Sequence, residues 1–254
     1  SSPACRRACL VGTGNNYQPY SFKVKFARAE ALKKDPTAFL AGVALAVKRF
    51  AKREHRAKRQ PFVRLNMLSD IPWELVCPDL FELCSTVQFY DYTKVAVHDR
   101  KIPKNYDLTF SFSGINDGAC RKALDAEHRV AVVFVTGDPK RTPYRKVNRV
   151  SYDEIVREYG ETSDAFGYGK TLEIVDGDVS DFRAADPAPS IVALSYKGPK
   201  GVQREAEEHI RYRSRFATIV PVRDFGGGIL MTSHTPLQVP FSPALAEMPA
   251  EEAA

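Results

Sequence analysis

Short apolar runs rich in β-branched and aromatic residues recur through the 254-residue chain, and their spacing is what most restricts its fold. They stand at 61–69 (PFVRLNMLS), 86–93 (TVQFYDYT), 106–113 (YDLTFSFS), 129–136 (RVAVVFVT), 171–175 (TLEIV), 190–196 (SIVALSY) and 218–222 (TIVPV). Most lie roughly 20 to 30 residues apart, room for one strand and one crossover helix. Helical patterns fill the gaps: 23–34 and 37–58, separated by Asp35-Pro36, then 71–84 after Asp70, 117–127, a short one near 151–159 and a charged one over 201–216. Parallel neighbours require crossovers, so the pattern predicts an α/β fold with a mostly parallel sheet. Repeated βα units favour a (β/α) barrel, complete or partial, with a doubly wound open sheet as the alternative. Residues 1–235 read as a single α/β domain with an N-terminal helical segment over 21–60; the Pro-, Ala- and Glu-rich 236–254 reads as an irregular tail.

Charge is spread unevenly along this framework. The formal net charge is +6, and residues 21–60 hold twelve Lys/Arg against three Asp/Glu. Such a block suits a phosphate backbone, which makes nucleic acid the expected partner; the solvated face of an amphipathic helix is the plainer reading. An apolar fraction of 44% with 27% charged residues excludes wholesale disorder. No stretch approaches the roughly 18 apolar residues of a membrane span. The five cysteines are odd in number and irregularly spaced, so a disulfide framework is not expected and a reducing cytoplasm is.

In either architecture, function gathers at the C-terminal ends of parallel strands. The first run ends in Ser69-Asp70, the second in Tyr90-Asp91-Tyr92-Thr93-Lys94 and the third in Ser111-Phe112-Ser113-Gly114. Thr136-Gly137-Asp138, Asp176-Gly177-Asp178-Val179-Ser180-Asp181 and Tyr196-Lys197-Gly198 close the next three. Asp70, Asp176 and Asp178 are the candidate catalytic residues, because clustered carboxylates serve acid/base work or a divalent cation. Asp91, Tyr92, Lys94, Ser113 and Lys197 are the candidate substrate-binding residues around them. Plainer roles stand beside these: Asp70 as a helix N-cap, an outward-facing Asp91, and an ordinary Asp-Gly turn at 176–178. Cys5 and Cys9, three residues apart, are candidate metal ligands that lack further partners. Gly12-Thr13-Gly14 and Gly226-Gly227-Gly228 lack the Lys-Ser/Thr of a P-loop, and no motif names a cofactor.

The order Cys-x3-Cys with Gly-x-Gly, RLNMLSDIPWE, FYDYTK, NYDLTFSFS and VDGDVSDFR resembles a family of poorly characterised bacteriophage proteins, common in phages of actinobacteria, over roughly residues 3–200. A more remote similarity in architecture and residue type is to barrel enzymes that exchange a base in nucleic acid, the guanine transglycosylases and their phage DNA-modifying relatives. That similarity implies one strand-end Asp as nucleophile at the ribose anomeric carbon and another as general acid/base. The expectation is an enzyme acting on nucleic acid or a nucleoside in the host cytoplasm. The alternatives are a non-catalytic nucleic-acid-binding protein, and a metal or iron–sulfur enzyme related to the radical-SAM barrels with Cys5 and Cys9 as ligands.

Overall fold

A computed structural model of the chain describes residues 19–134, 152–159, 162, 163, 166 and 168–195. These residues divide into two compact units interleaved along the chain. The first takes in 19–91 and 101–107; the second takes in 92–100 and the described part of 108–195.

Helices α1 (Pro19–Lys34) and α2 (Pro36–Arg56) open the first unit. Asp35 separates them as expected: its Oδ1 accepts from Ala38 N at 2.9 Å, and Pro36 supplies a pre-set φ at the first helical position. On α2, Leu40, Ala44, Val47 and Ala51 recur at three- and four-residue steps and are all buried, which leaves the intervening Lys and Arg residues toward solvent. The strand anticipated at 61–69 is short: β1 spans only Phe62–Val63, because the chain then leaves the ladder to wrap around the Asn66 side chain. Likewise, the helix anticipated at 71–84 is two short ones, α3 (Trp73–Val76) and α4 (Asp79–Leu83). Pro78 separates them, since it has no N–H to donate and pushes Cys77 out of the helical region, to φ −146°. Strand β2 (Gln88–Thr93) pairs in parallel with β1, Phe62 opposite Gln88. Phe81 of α4 stacks on Tyr106 with centroids 4.7 Å apart and meets Phe89 of β2 edge-on at 5.0 Å. Each such buried ring contributes about 1.5–3 kcal/mol of burial.

Most of the second unit is parallel sheet. Strand β3 (Tyr106–Ser111) enters it, followed by α5 (Asp117–Asp125), β4 (Arg129–Phe134), α6 (Tyr152–Tyr159), β5 (Thr162–Ser163), β6 (Leu172–Asp176) and β7 (Ser190–Ser195). β4 pairs in parallel with both β3 and β7, and β7 with β6. Val130, Ile174, Ile191 and Val192 are buried, the near-continuous apolar run expected of strands covered on both faces. Cys120, Ala123 and Leu124 give α5 its buried stripe. The two-residue β5, which the sequence pattern does not reveal, pairs antiparallel with β6.

The described strands follow the order β1-β2-β3-β4-β7-β6-β5, six of them parallel. The mostly parallel α/β fold is therefore present. Among the described residues the sheet is not closed, and its winding reverses after β4. The strand expected at 218–222, the helix at 201–216 and the tail from 236 lie outside the described residues.

Candidate functional site

The loop that leaves β1 is organised by one amide. Asn66 is buried; its Oδ1 accepts from Ser69 Oγ (2.7 Å), Ile71 N (3.2 Å) and Trp73 Nε1 (3.0 Å), and its Nδ2 donates to Ile71 O (2.9 Å). Arg64 Nε donates to Asn66 O at 2.9 Å. The Asn66 backbone N–H donates to Asp91 Oδ1 at 2.7 Å, and Tyr106 Oη donates to Asp91 Oδ2 at 2.8 Å. A buried amide and a buried carboxylate are stable only with such partners. Three of the motifs that carry the family resemblance, RLNMLSDIPWE, FYDYTK and NYDLTF, thus meet in one hydrogen-bonded network inside the first unit.

Asp70 is exposed on this loop. It does not cap the following helix, because Pro72 holds the N-cap position and no side chain bonds there. Asp91 faces inward with Phe89 and Thr93, in the alternating pattern of β2, so the outward orientation does not hold; it is 2% exposed. Burial raises its carboxyl from the ordinary 3.8 to about 6, against the lowering effects of the Asn66 N–H, the Tyr106 hydroxyl, the Arg64 charge and the Leu65 N–H. Such a group changes protonation near neutral pH. One oxygen holds the loop at Asn66 and the other is held by Tyr106 of β3, so Asp91 positions the segment that carries Asp70.

In the second unit, Tyr92 and Lys94 are half-buried, while Ser113 is buried with its N–H donating to Asn116 Oδ1 at 2.7 Å. Asn116 Nδ2 donates back to Ser111 O at 3.0 Å, a second strand-end loop built on an asparagine. Asp176 closes β6, and its Oδ1 accepts from Asp178 N at 2.9 Å. Gly177 between them donates to Ala193 O at 2.7 Å and lies so close to β7 that an added Cβ would stand 2.6 Å from Leu194 Cδ2. Asp176 and Asp178 therefore come together in one turn, with Asp176 half-buried and Asp178 exposed. Ser113 follows β3, three ladder spacings from β6 and so about 14 Å away across the sheet. Asp70 belongs to the first unit.

Downstream of that turn, Arg183 is 1% exposed and pairs with Asp186 Oδ2 at 2.9 Å, and it also donates to Ser180 O. Arg129 donates to Asp186 O. The arginine of VDGDVSDFR is thus a buried tie for the β6–β7 connection. Sequence reasoning missed Asn66, Asn116, Tyr106 and Arg183; the motifs contain all but Asn116, but the hydrogen bonds that give these residues their roles depend on the folded chain.

Among the described residues no group of three His, Cys, Asp or Glu is placed to hold an ion, the Asp176–Asp181 segment included. Cys77, Cys84 and Cys120 are buried free thiols, and burial pushes Cys77 up to about 11. They are packing residues. Cys5, Cys9, Asp138 and Lys197 lie outside the described residues.

The basic helices offer a different kind of site. On α1, Tyr20 is 77% and Phe26 69% exposed, among Lys23, Arg28, Lys33 and Lys34. On α2, Arg49, Lys52 and Arg56 are exposed, whereas Arg53 shares the Glu54 carboxylate with Arg59 at 3.2 and 2.6 Å. The Arg59 guanidinium, helped by Arg53, holds that carboxyl below its ordinary value. No helix among the described residues is long and apolar enough to cross a membrane.

A sequence model described as gene product 88 matches residues 1–214. No curated protein and no solved structure matches the chain.

Proposed function

The chain belongs to the gene product 88 family, and from that premise we propose that it binds nucleic acid through α1 and α2 in the host cytoplasm. The observation that carries the reading is the pair of exposed rings, Tyr20 and Phe26, set among the lysines and arginines of α1. Both rings stand out from the helix into solvent beside these cations. Rings interleaved with cations match a strand whose bases stack while its phosphates are neutralised. The test is fluorescence anisotropy with a labelled oligonucleotide. Tyr20→Ala/Phe26→Ala should weaken binding at least tenfold, with the melting temperature unchanged because both rings are exposed. Unchanged affinity would remove the rings from the interface.

A second reading, base exchange in nucleic acid of the transglycosylase kind, is favoured by one observation: Asp70 is exposed on a loop held by the Asn66–Asp91–Tyr106 network. A preorganised, accessible carboxylate is what a glycosyl nucleophile or acid/base needs. Asp70→Asn keeps a carbonyl oxygen for the local hydrogen bonds while removing the charge. On this reading the change abolishes base incorporation by the full chain without lowering the melting temperature. Retained incorporation in this variant would end it.

A further inference from the structure

The first unit carries a groove of about 600 Å3 between α2 and the segment that follows α4. One wall is a row of cations: Lys48, Lys52 and Arg56 recur every four residues, a step of about 6 Å along a helix. Its floor is apolar, made by Ala51, Leu83, Val87 and the buried Cys84, whose thiol burial keeps protonated. At the rim, His55 Nε2 and Thr86 Oγ1 are hydrogen-bonded at 3.1 Å, which joins the two walls. No carboxylate is among the described residues that line it, and Glu54 on the same helix is taken up by Arg53 and Arg59.

We infer that this groove takes a single-stranded nucleic acid, with the base of one nucleotide against Leu83 and the phosphates of that nucleotide and its neighbours along Lys48, Lys52 and Arg56. The inference rests on the nucleic-acid reading above and adds the site and the strandedness. The charge row alone would serve any phosphate backbone. An apolar floor adds affinity only for a base whose face and edge are free of a pairing partner, which a duplex does not offer. The spacing of the row suits successive phosphates, and the concave floor lies beside it rather than beyond it.

The experiment compares full-length protein binding to a labelled single-stranded homopolymer and to a duplex of equal length at one fixed salt concentration. The single strand should bind at least tenfold tighter. Leu83→Gln should cut single-strand affinity about tenfold by wetting the floor, and leave duplex binding unchanged. Thr86 is exposed, so Thr86→Glu keeps the fold while placing a carboxylate in the groove; it should lower single-strand affinity by a similar factor even if Leu83→Gln unfolds. Equal or tighter duplex binding, or a single-strand preference that survives both variants, overturns the groove while leaving the nucleic-acid reading standing. No binding to either oligonucleotide overturns both.

Discussion

Two donors, Asn66 N and Tyr106 Oη, hold the Asp91 carboxylate inside the first unit, yet burial still raises it to about 6. The native state therefore takes up a proton more readily than the unfolded chain between pH 4 and 6. Stability from this residue is fully present below the ordinary 3.8 and is lost as pH rises through about 6. The shift corresponds to roughly 3 kcal/mol. Asp91→Asn keeps an acceptor for the Asn66 N–H and removes the buried charge. Denaturant titrations should show the variant at least as stable as the parent at pH 7, with the gain on acidification from 7 to 4 reduced. A variant that unfolds at pH 7 would show that the charge itself holds the loop, and one that keeps the full acid gain would show that the gain comes from another group. Gly177 gives a second residue-scale test. A methyl there would stand 2.7 Å from Ala193 O and 2.7 Å from Val192 Cγ1, so Gly177→Ala should cost about 1–3 kcal/mol in thermal unfolding. An unchanged melting temperature would mean that the turn sits farther from β7. Aspartates are legible in a sequence because few roles suit a carboxylate, and Asp70, Asp91, Asp176 and Asp178 stand out for that reason. Asn66 is not, because its carbonyl and amide act locally and its link to Asp91 spans 25 residues.

Elements were legible where periodicity extends over many residues. The α2 seam from Leu40 to Ala51 and the Asp35-Pro36 boundary are visible as composition and punctuation. The runs at 86–93, 106–113, 129–136, 171–175 and 190–196 correspond to β2, β3, β4, β6 and β7. Apolar content alone misleads at 61–69, where hydrogen bonds to one asparagine replace the ladder after Val63. A helical stripe misleads at 71–84, where Pro78 interrupts it. The cap at Asp35 bears on function, because α2 carries both the basic face and the groove. Asp35→Ala should lower stability by about 1 kcal/mol, while Asp35→Asn, which keeps the acceptor, should cost little. Circular dichroism melts on the two variants separate the cap from the charge. Equal losses in both would assign the effect to charge at the helix start.

At the scale of the whole molecule, the parallel sheet follows from strand spacing, but the order of its strands does not. Crossovers of similar length serve a neighbour or a more distant strand equally well, so the reversal that places β7 between β4 and β6 left no mark on the spacing. The two-residue β5 was too short to register. The basic block, by contrast, was visible in composition, and the fold sets most of its exposed cations on two helices of one unit. The central claim is that these helices meet a phosphate backbone, and the dependence of binding on salt tests it most directly. Log affinity of the full chain for a single-stranded oligonucleotide should fall linearly with log salt. Reversing Lys23, Arg28, Arg49 and Lys52 to Glu should reduce the magnitude of that slope by about 3, at about 0.7 per lost phosphate contact. A parent whose binding does not respond to salt, or a reversed variant with the parent's slope, would contradict the claim.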